Sequence, residues 1–118
     1  MTRSELGQRA ELAVADCLFV GGFELLGRNV RFGPLELDVV ARKDRLLLVT
    51  EVRTRSAGSW CSAFESVTRT KRARVLKAAS RLWRERKDWT QGIDRVRVAV
   101  AAVTFVDGRT HVEYAPLA

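Results

Sequence analysis

The sequence predicts an α/β fold: a central mixed β-sheet flanked by helices, in the order α-β-β-β-α-β-β. Three observations lead there. Apolar residues recur at helical spacing in two separate stretches. Between and after those stretches lie strand-like runs that alternate or stay apolar. Gly-Pro, Lys-Asp and Asp-Gly pairs punctuate the runs where strands would turn. A helix, a three-stranded meander, a second helix and further strands bury their apolar faces when the helices pack on the sheet.

Each element has its own signal. Thr2, with Glu5 three residues later, forms a capping box, and the helix it opens runs to about Val20 and stops at Gly21-Gly22. Leu6, Ala10, Ala13, Val14, Cys17 and Leu18 fall on one arc of that helix. Phe23 to Phe32 reads as a strand ending at the Gly33-Pro34 turn. Leu35 to Arg42 alternates, and after a turn through Lys43-Asp44 the run Leu46 to Arg55 returns as its hairpin partner. Ser56 to Ser59 is a small-residue loop. A long helical stretch from about Ser62 to Lys87 follows, with a break near Thr68-Thr70. Ile93 to Val106 is β-branched and apolar, Asp107-Gly108 is a hairpin turn, and Thr110 to Tyr114 is the returning strand.

Composition narrows the function. A chain of 118 residues is one domain, 1–118, long enough to fold without a disulfide or a structural metal. With 47% hydrophobic residues, 30% charged and two prolines, it is not disordered. The longest apolar run, Val98 to Val106, is roughly half of the ~20 residues a membrane span needs. Glu5, Glu11 and Asp16 predict neither a signal nor a transit peptide. Cys17 and Cys61 lack Cys-x-x-Cys spacing and read as reduced thiols of a cytoplasmic protein. One histidine, His111, leaves no material for a His-based triad or zinc site. Lys and Arg number 21 against 14 acids, a net +7 that favours a polyanion: nucleic acid first, an anionic membrane surface second.

The hairpin holds the residues that could do chemistry. Glu36 and Asp38, two apart on one strand, leave the same face, as do Glu51 and Arg53 on the next. Leu35, Leu37, Val39, Leu48 and Val52 on the opposite face read as core. Acids are depleted from strands, and Glu51 ends an apolar run where a carboxylate needs a partner or a cation. Glu11 sits at the edge of the first helix's apolar arc. Clustered carboxylates repel unless a cation sits among them. Magnesium accepts one or two carboxylates with waters and phosphate oxygens, the arrangement expected of a metal-dependent nuclease. On the second helix Val75, Leu76, Ala79, Leu82 and Trp83 share one arc. Lys71, Arg74, Lys77, Arg81 and Arg84 cover most of the other side, a nearly single-signed face that suits a phosphate backbone. Trp60 and Trp89 flank this region and read as packing residues before base-stacking ones.

Taken in order, these segments resemble the YraN-like family of small bacterial proteins. That family is similar to Holliday-junction resolvases of the PD-(D/E)XK nuclease superfamily. The resemblance rests on Gly7-Gln8-Arg9-Ala10-Glu11, Gly27-Arg28-Asn29-Val30-Arg31, Glu36-Leu37-Asp38-Val39-Val40-Ala41, Thr50-Glu51-Val52-Arg53-Thr54-Arg55, and Phe64-Glu65-Ser66-Val67 followed by Lys71. It implies a restriction-endonuclease-like fold, Asp38 and Glu51 as metal ligands, and Glu11 as a helix-borne catalytic acid. It further implies Glu36 as an auxiliary acid and Lys71 as a second-helix phosphate contact. Arg53 stands where the superfamily's lysine stands, Leu35 replaces a usual glycine, and the acid usual at the start of the later strand is replaced around Arg95-Val96-Arg97. A guanidinium keeps the charge of an ammonium but not its compact geometry.

The expected function is therefore Mg²⁺-dependent phosphodiester hydrolysis, with Mn²⁺ as a substitute, on structured or branched DNA. Asp38, Glu51, Glu11 and Arg53 would act at the site, and Lys71, Arg74, Lys77, Arg81 and Arg84 would grip the backbone. The alternative is a catalytically impaired nucleic-acid-binding module of the same fold. A third reading pairs the basic face with an acidic protein or a membrane. The expected partner is nucleic acid, DNA before RNA, without a membrane and with a homodimer left open.

Overall fold

A computed structural model describes residues 1–55 and 67–117. Helix α1 (Arg3–Val20) leads into strands β1 (Glu24–Phe32), β2 (Leu35–Lys43) and β3 (Leu46–Arg55). Helix α2 (Arg69–Glu85), the short α3 (Lys87–Thr90) and strands β4 (Arg95–Val106) and β5 (Arg109–Pro116) complete the order. The expected Ser56–Ser59 loop, the helix start from Ser62, Trp60, Cys61 and the Phe64-Glu65-Ser66 motif lie outside the described residues.

Local chemistry sets the boundaries. The Thr2 hydroxyl accepts the Glu5 N–H at 3.1 Å and donates to the Glu5 carboxylate at 3.1 Å, opening α1. At the other end Gly22 has φ +89, its N–H reaches the Phe19 carbonyl, and the Phe23 N–H reaches that of Leu18 at 2.9 Å. This is a Schellman closure with Phe23 folded onto Leu18's side of the sheet. The Asp107-Gly108 turn carries φ +50 and +73, the double left-handed geometry that continues a strand's twist through a two-residue hairpin. The hairpin between β2 and β3 turns one residue later than the sequence indicates, because Lys43 still pairs with Leu46.

The five strands form one mixed sheet in the order β1-β2-β3-β4-β5. Neighbours are antiparallel except β3 and β4, which run parallel from Leu46↔Arg95 to Arg55↔Thr104. Helices cover both faces. Val75, Ala78 and Leu82 of α2 pack on Leu35, Leu37, Val40, Leu47, Val49, Val98 and Val100. Ala10, Val14 and Leu18 of α1 pack on Val39, Ala41, Ala101 and Val103. Burying each such Val or Leu is worth about 1.5–3 kcal/mol. Among the described residues no helix is long and apolar enough to cross a membrane.

Three expectations about faces are corrected. Leu35 and Leu37 lie under α2, whereas Val39, Leu48 and Val52 lie under α1, so they do not form one apolar face. The cause is a switch in β2 at Asp38. Opposite it in the β1 register is Asn29, a left-handed residue with φ +51, and regular β2–β3 pairing ends at Val39↔Thr50. Cys17 is exposed instead of joining the apolar arc of α1. Trp83 is likewise exposed, with Ala78 taking the buried place on α2.

Candidate functional site

Where β2 and β3 part company, side chains replace the backbone ladder. The Asp38 carboxylate accepts the Val52 N–H at 2.8 Å, which fixes it at the head of the splayed strands. Glu51 is the last buried residue of β3, 2% exposed. It alternates with Leu47 and Val49, so it faces the α2 side. There the Lys71 ammonium stands 3.3 Å from its Oε1. Its Oε2 is buried without a hydrogen-bond partner among the described residues. Burial first, then the neighbouring Asp38 charge, push the Glu51 carboxyl from 4.5 up to about 7, with Lys71 opposing the rise.

Glu11 reaches the same region from α1, where buried Ala10 and Val14 hold that face of the helix on the sheet. Its carboxylate lies 3.7 Å from the Arg28 guanidinium, with Asn29 as a polar neighbour. Burial and then Asp38 raise its pKa, while Asn29 and Arg28 lower it. Asp38 is thus the common neighbour of Glu11 and Glu51. Glu36 turns to the cross-strand Arg31, 3.1 Å away and opposite it in the register. Arg53, half-buried, leaves β3 on the same side as Glu51.

The acids are arranged as a chain and not as a closed cage. Among the described residues no group of three or more His, Cys, Asp or Glu is placed to hold a metal ion. The pair Asp38 and Glu51 nevertheless fits a hard divalent cation. Two adjacent carboxylates, one with a buried orphan oxygen, leave the remaining positions to water and phosphate oxygens, as Mg²⁺ prefers. Glu11, 3.7 Å from Arg28, lies outside that pair.

The basic helix divides into two sets. Arg74 donates to the Pro34 carbonyl at 2.8 Å. Arg81 donates to the Phe32 carbonyl at 3.0 Å, pairs with Glu85 at 2.8 Å and covers the Phe32 ring. These two side chains staple α2 to the β1–β2 turn. Lys77 and Arg84 are exposed. Trp89 packs on the core against Gly27, with the Arg86 guanidinium 3.6 Å above its ring, as its packing reading requires.

Sequence reasoning missed Arg28 and Asn29 as the hosts of Glu11, and it missed the Lys71–Glu51 contact. Asn29 carried a readable signal, since asparagine tolerates left-handed backbone better than most residues. The Lys71 contact had no local signal, because it depends on how α2 lands on the sheet.

A family model described as "Uncharacterised protein family UPF0102" matches residues 10–103. A UPF0102 protein of Sorangium cellulosum (strain So ce56) is 47% identical over 88% of this chain and 72% of its own length. One of Anaeromyxobacter dehalogenans (strain 2CP-C) is 37% identical over 98% of this chain and 84% of its own. One of Lawsonia intracellularis (strain PHE/MN1-00) is 34% identical over 76% and 68%.

Proposed function

The chain belongs to the UPF0102 family, which brings a nuclease-like fold without a named activity, and from that premise we propose that it is a Mg²⁺-dependent endonuclease acting on structured or branched DNA. One observation carries the reading. At the splayed end of β2 and β3, buried Glu51 has an oxygen with no hydrogen-bond partner among the described residues, beside Asp38 and with the Lys71 ammonium on its other oxygen. A buried carboxylate left so is costly unless a cation or proton satisfies it.

Asp38 and Glu51 would hold Mg²⁺, or Mn²⁺ in its place. Such an ion supplies Lewis acidity toward a phosphate oxygen and a more acidic water. The protein's own part is positional. The Val52 N–H fixes one Asp38 oxygen and so the direction of the other. Arg53 would stabilise negative charge on the phosphate as a water oxygen bonds to phosphorus, its proton passing to solvent, and the P–O bond to the leaving oxygen breaks, that oxygen taking a proton from solvent. Glu11 would orient water at the edge of the pair. Lys77 and Arg84 would follow the backbone, where cations position without reading sequence.

The test uses purified protein with labelled linear, flapped and four-way DNA and matched RNA, in Mg²⁺, Mn²⁺ or EDTA. Metal-dependent nicking that disappears in Asp38→Asn supports the enzyme. Arginine at position 53 favours a second reading, a binding module of the same fold without turnover. Salt-sensitive binding with no cleavage of any form in either metal would select it.

A further inference from the structure

The Lys71–Glu51 contact is out of place for a backbone grip. A side chain that follows phosphates points away from buried acids, yet the Lys71 ammonium lies 3.3 Å from a carboxylate whose side chain is 3% exposed. The Lys71 side chain as a whole is 41% exposed, so it spans the boundary between the acids and solvent. Its backbone is pinned. Thr68 caps α2 by accepting the Lys71 N–H at 3.1 Å, Val67 packs on the core before the cap, and Val75 is buried one turn later.

The placement also runs against the helix's own electrostatics. A helix N-terminus prefers acids, by about 0.3–1 kcal/mol each. The first turn of α2 contains none, and its third residue is Lys71. What offsets this is Glu51 across the gap, whose other oxygen is buried with no hydrogen-bond partner among the described residues. The Lys71 ammonium and the buried Glu51 carboxylate thus meet next to Asp38.

We infer that Lys71 supplies, from helix α2, the compact ammonium beside the metal-binding carboxylates that strand β3 does not supply at Arg53. The inference rests on the nuclease reading above and gives Lys71 a different place in it. Lys71 faces the scissile phosphate and the attacking water at the acid pair and is not one of the cations gripping the flanking backbone. Arg53, two residues beyond Glu51 on the same strand, is left to bind phosphate with its planar fork. The role needs no proton transfer by Lys71. Its three donors hold Glu51 on one side and a phosphate oxygen on the other.

The test compares the wild type with Lys71→Met, which keeps the stem, and Lys71→Arg, which keeps the charge. Single-turnover cleavage of four-way DNA at saturating protein should fall about a hundredfold in Lys71→Met, the scale of a lost transition-state donor. DNA affinity should change by less than about threefold, and Lys71→Arg should stay about tenfold slow despite its charge. Mn²⁺ calorimetry without DNA gives an independent readout. Removing a positive charge beside Glu51 should tighten Mn²⁺ binding by about threefold or more. Lys71→Met turning over like the wild type, or a loss recovered by adding protein, overturns the inference and leaves the nuclease. If the wild type cleaves nothing but binds Mn²⁺, the nuclease reading falls and calorimetry decides alone: tighter binding in Lys71→Met keeps the ammonium at the ion's edge, and equal binding removes it. A wild type that binds no Mn²⁺ overturns both.

Discussion

At the scale of single residues, Asp38 and Glu51 do different jobs with the same functional group. Asp38 is spent partly on the fold, because one oxygen holds the Val52 N–H. Asp38→Asn should keep the fold and weaken Mn²⁺ binding by about tenfold or more, since it removes a charge from a hard-cation site at nearly constant volume. Equal Mn²⁺ affinity by calorimetry would rule out the pair as the metal site. Glu51 gives a pH signature in metal-free protein. Its carboxyl is raised from 4.5 to about 7, so the folded state binds more protons than the unfolded state between those values. Its contribution to stability therefore falls as pH rises from about 5 to 7 and is level above. At ~1.4 kcal/mol per pKa unit the cost is on the order of 3 to 4 kcal/mol. Glu51→Gln in EDTA should be favourable relative to wild type at pH 8 and near neutral at pH 4.5, read by urea unfolding at both. A constant difference across that range would mean that Glu51 is not perturbed. Much of this was legible from residues alone: an acid closing the apolar run Leu46-Leu47-Leu48-Val49 announces itself. The partner of its Oε1 was not, because Lys71 lies on the next helix and is brought there by tertiary packing.

At the scale of elements, the boundaries were readable wherever a residue's own chemistry sets the backbone. Thr2 with Glu5, Gly21-Gly22 and Asp107-Gly108 all sit where the sequence places them. The face switch in β2 was not readable, since Leu35, Leu37 and Val39 alternate faultlessly in sequence. It arises from Asn29 in the neighbouring strand and from the loss of pairing to β3, neither of which is a property of β2. Tertiary contacts divide helix α2 in the same way. Its charges look alike on a wheel, but Arg74 and Arg81 are occupied by the Pro34 and Phe32 carbonyls. Lys77→Ala with Arg84→Ala should therefore flatten the salt dependence of DNA binding by about two phosphate contacts and leave stability unchanged. Arg81→Ala should instead lower stability, by about 1 kcal/mol or more, as a half-buried carbonyl loses its charged donor. Denaturant titrations paired with binding isotherms separate the two sets. Equal effects of both pairs on the salt slope would return the helix to a uniform basic face. Thr68→Ala removes the cap that seats Lys71 and should cost about 1 kcal/mol by thermal or urea unfolding.

At the scale of the whole molecule, helices on both faces leave the splayed end of β2 and β3 as the place where α1, the sheet and α2 all contribute charge. If about six cations meet phosphates, affinity for any DNA should fall roughly a thousandfold between 50 and 200 mM salt. A flat response in a filter-binding or anisotropy series would exclude the nucleic-acid face. The net +7 made that expectation readable before any fold was known. The parallel pairing of β3 with β4 has a different consequence, in time. β1 to β3 form a local antiparallel meander, but β3 acquires its other neighbour only when Leu46 finds Arg95 and Arg55 finds Thr104, across the whole helical crossover. Closing such a loop is entropically slow compared with zipping a hairpin. On a translating ribosome, the meander emerges with the outer edge of β3 unsatisfied until the C-terminal hairpin arrives. Pulse-labelled hydrogen exchange during refolding should show β1–β2 amides protected ahead of those bridging β3 and β4. The acids of β2 and β3 would then be assembled early, and the surface that buries Glu51 would close over them last.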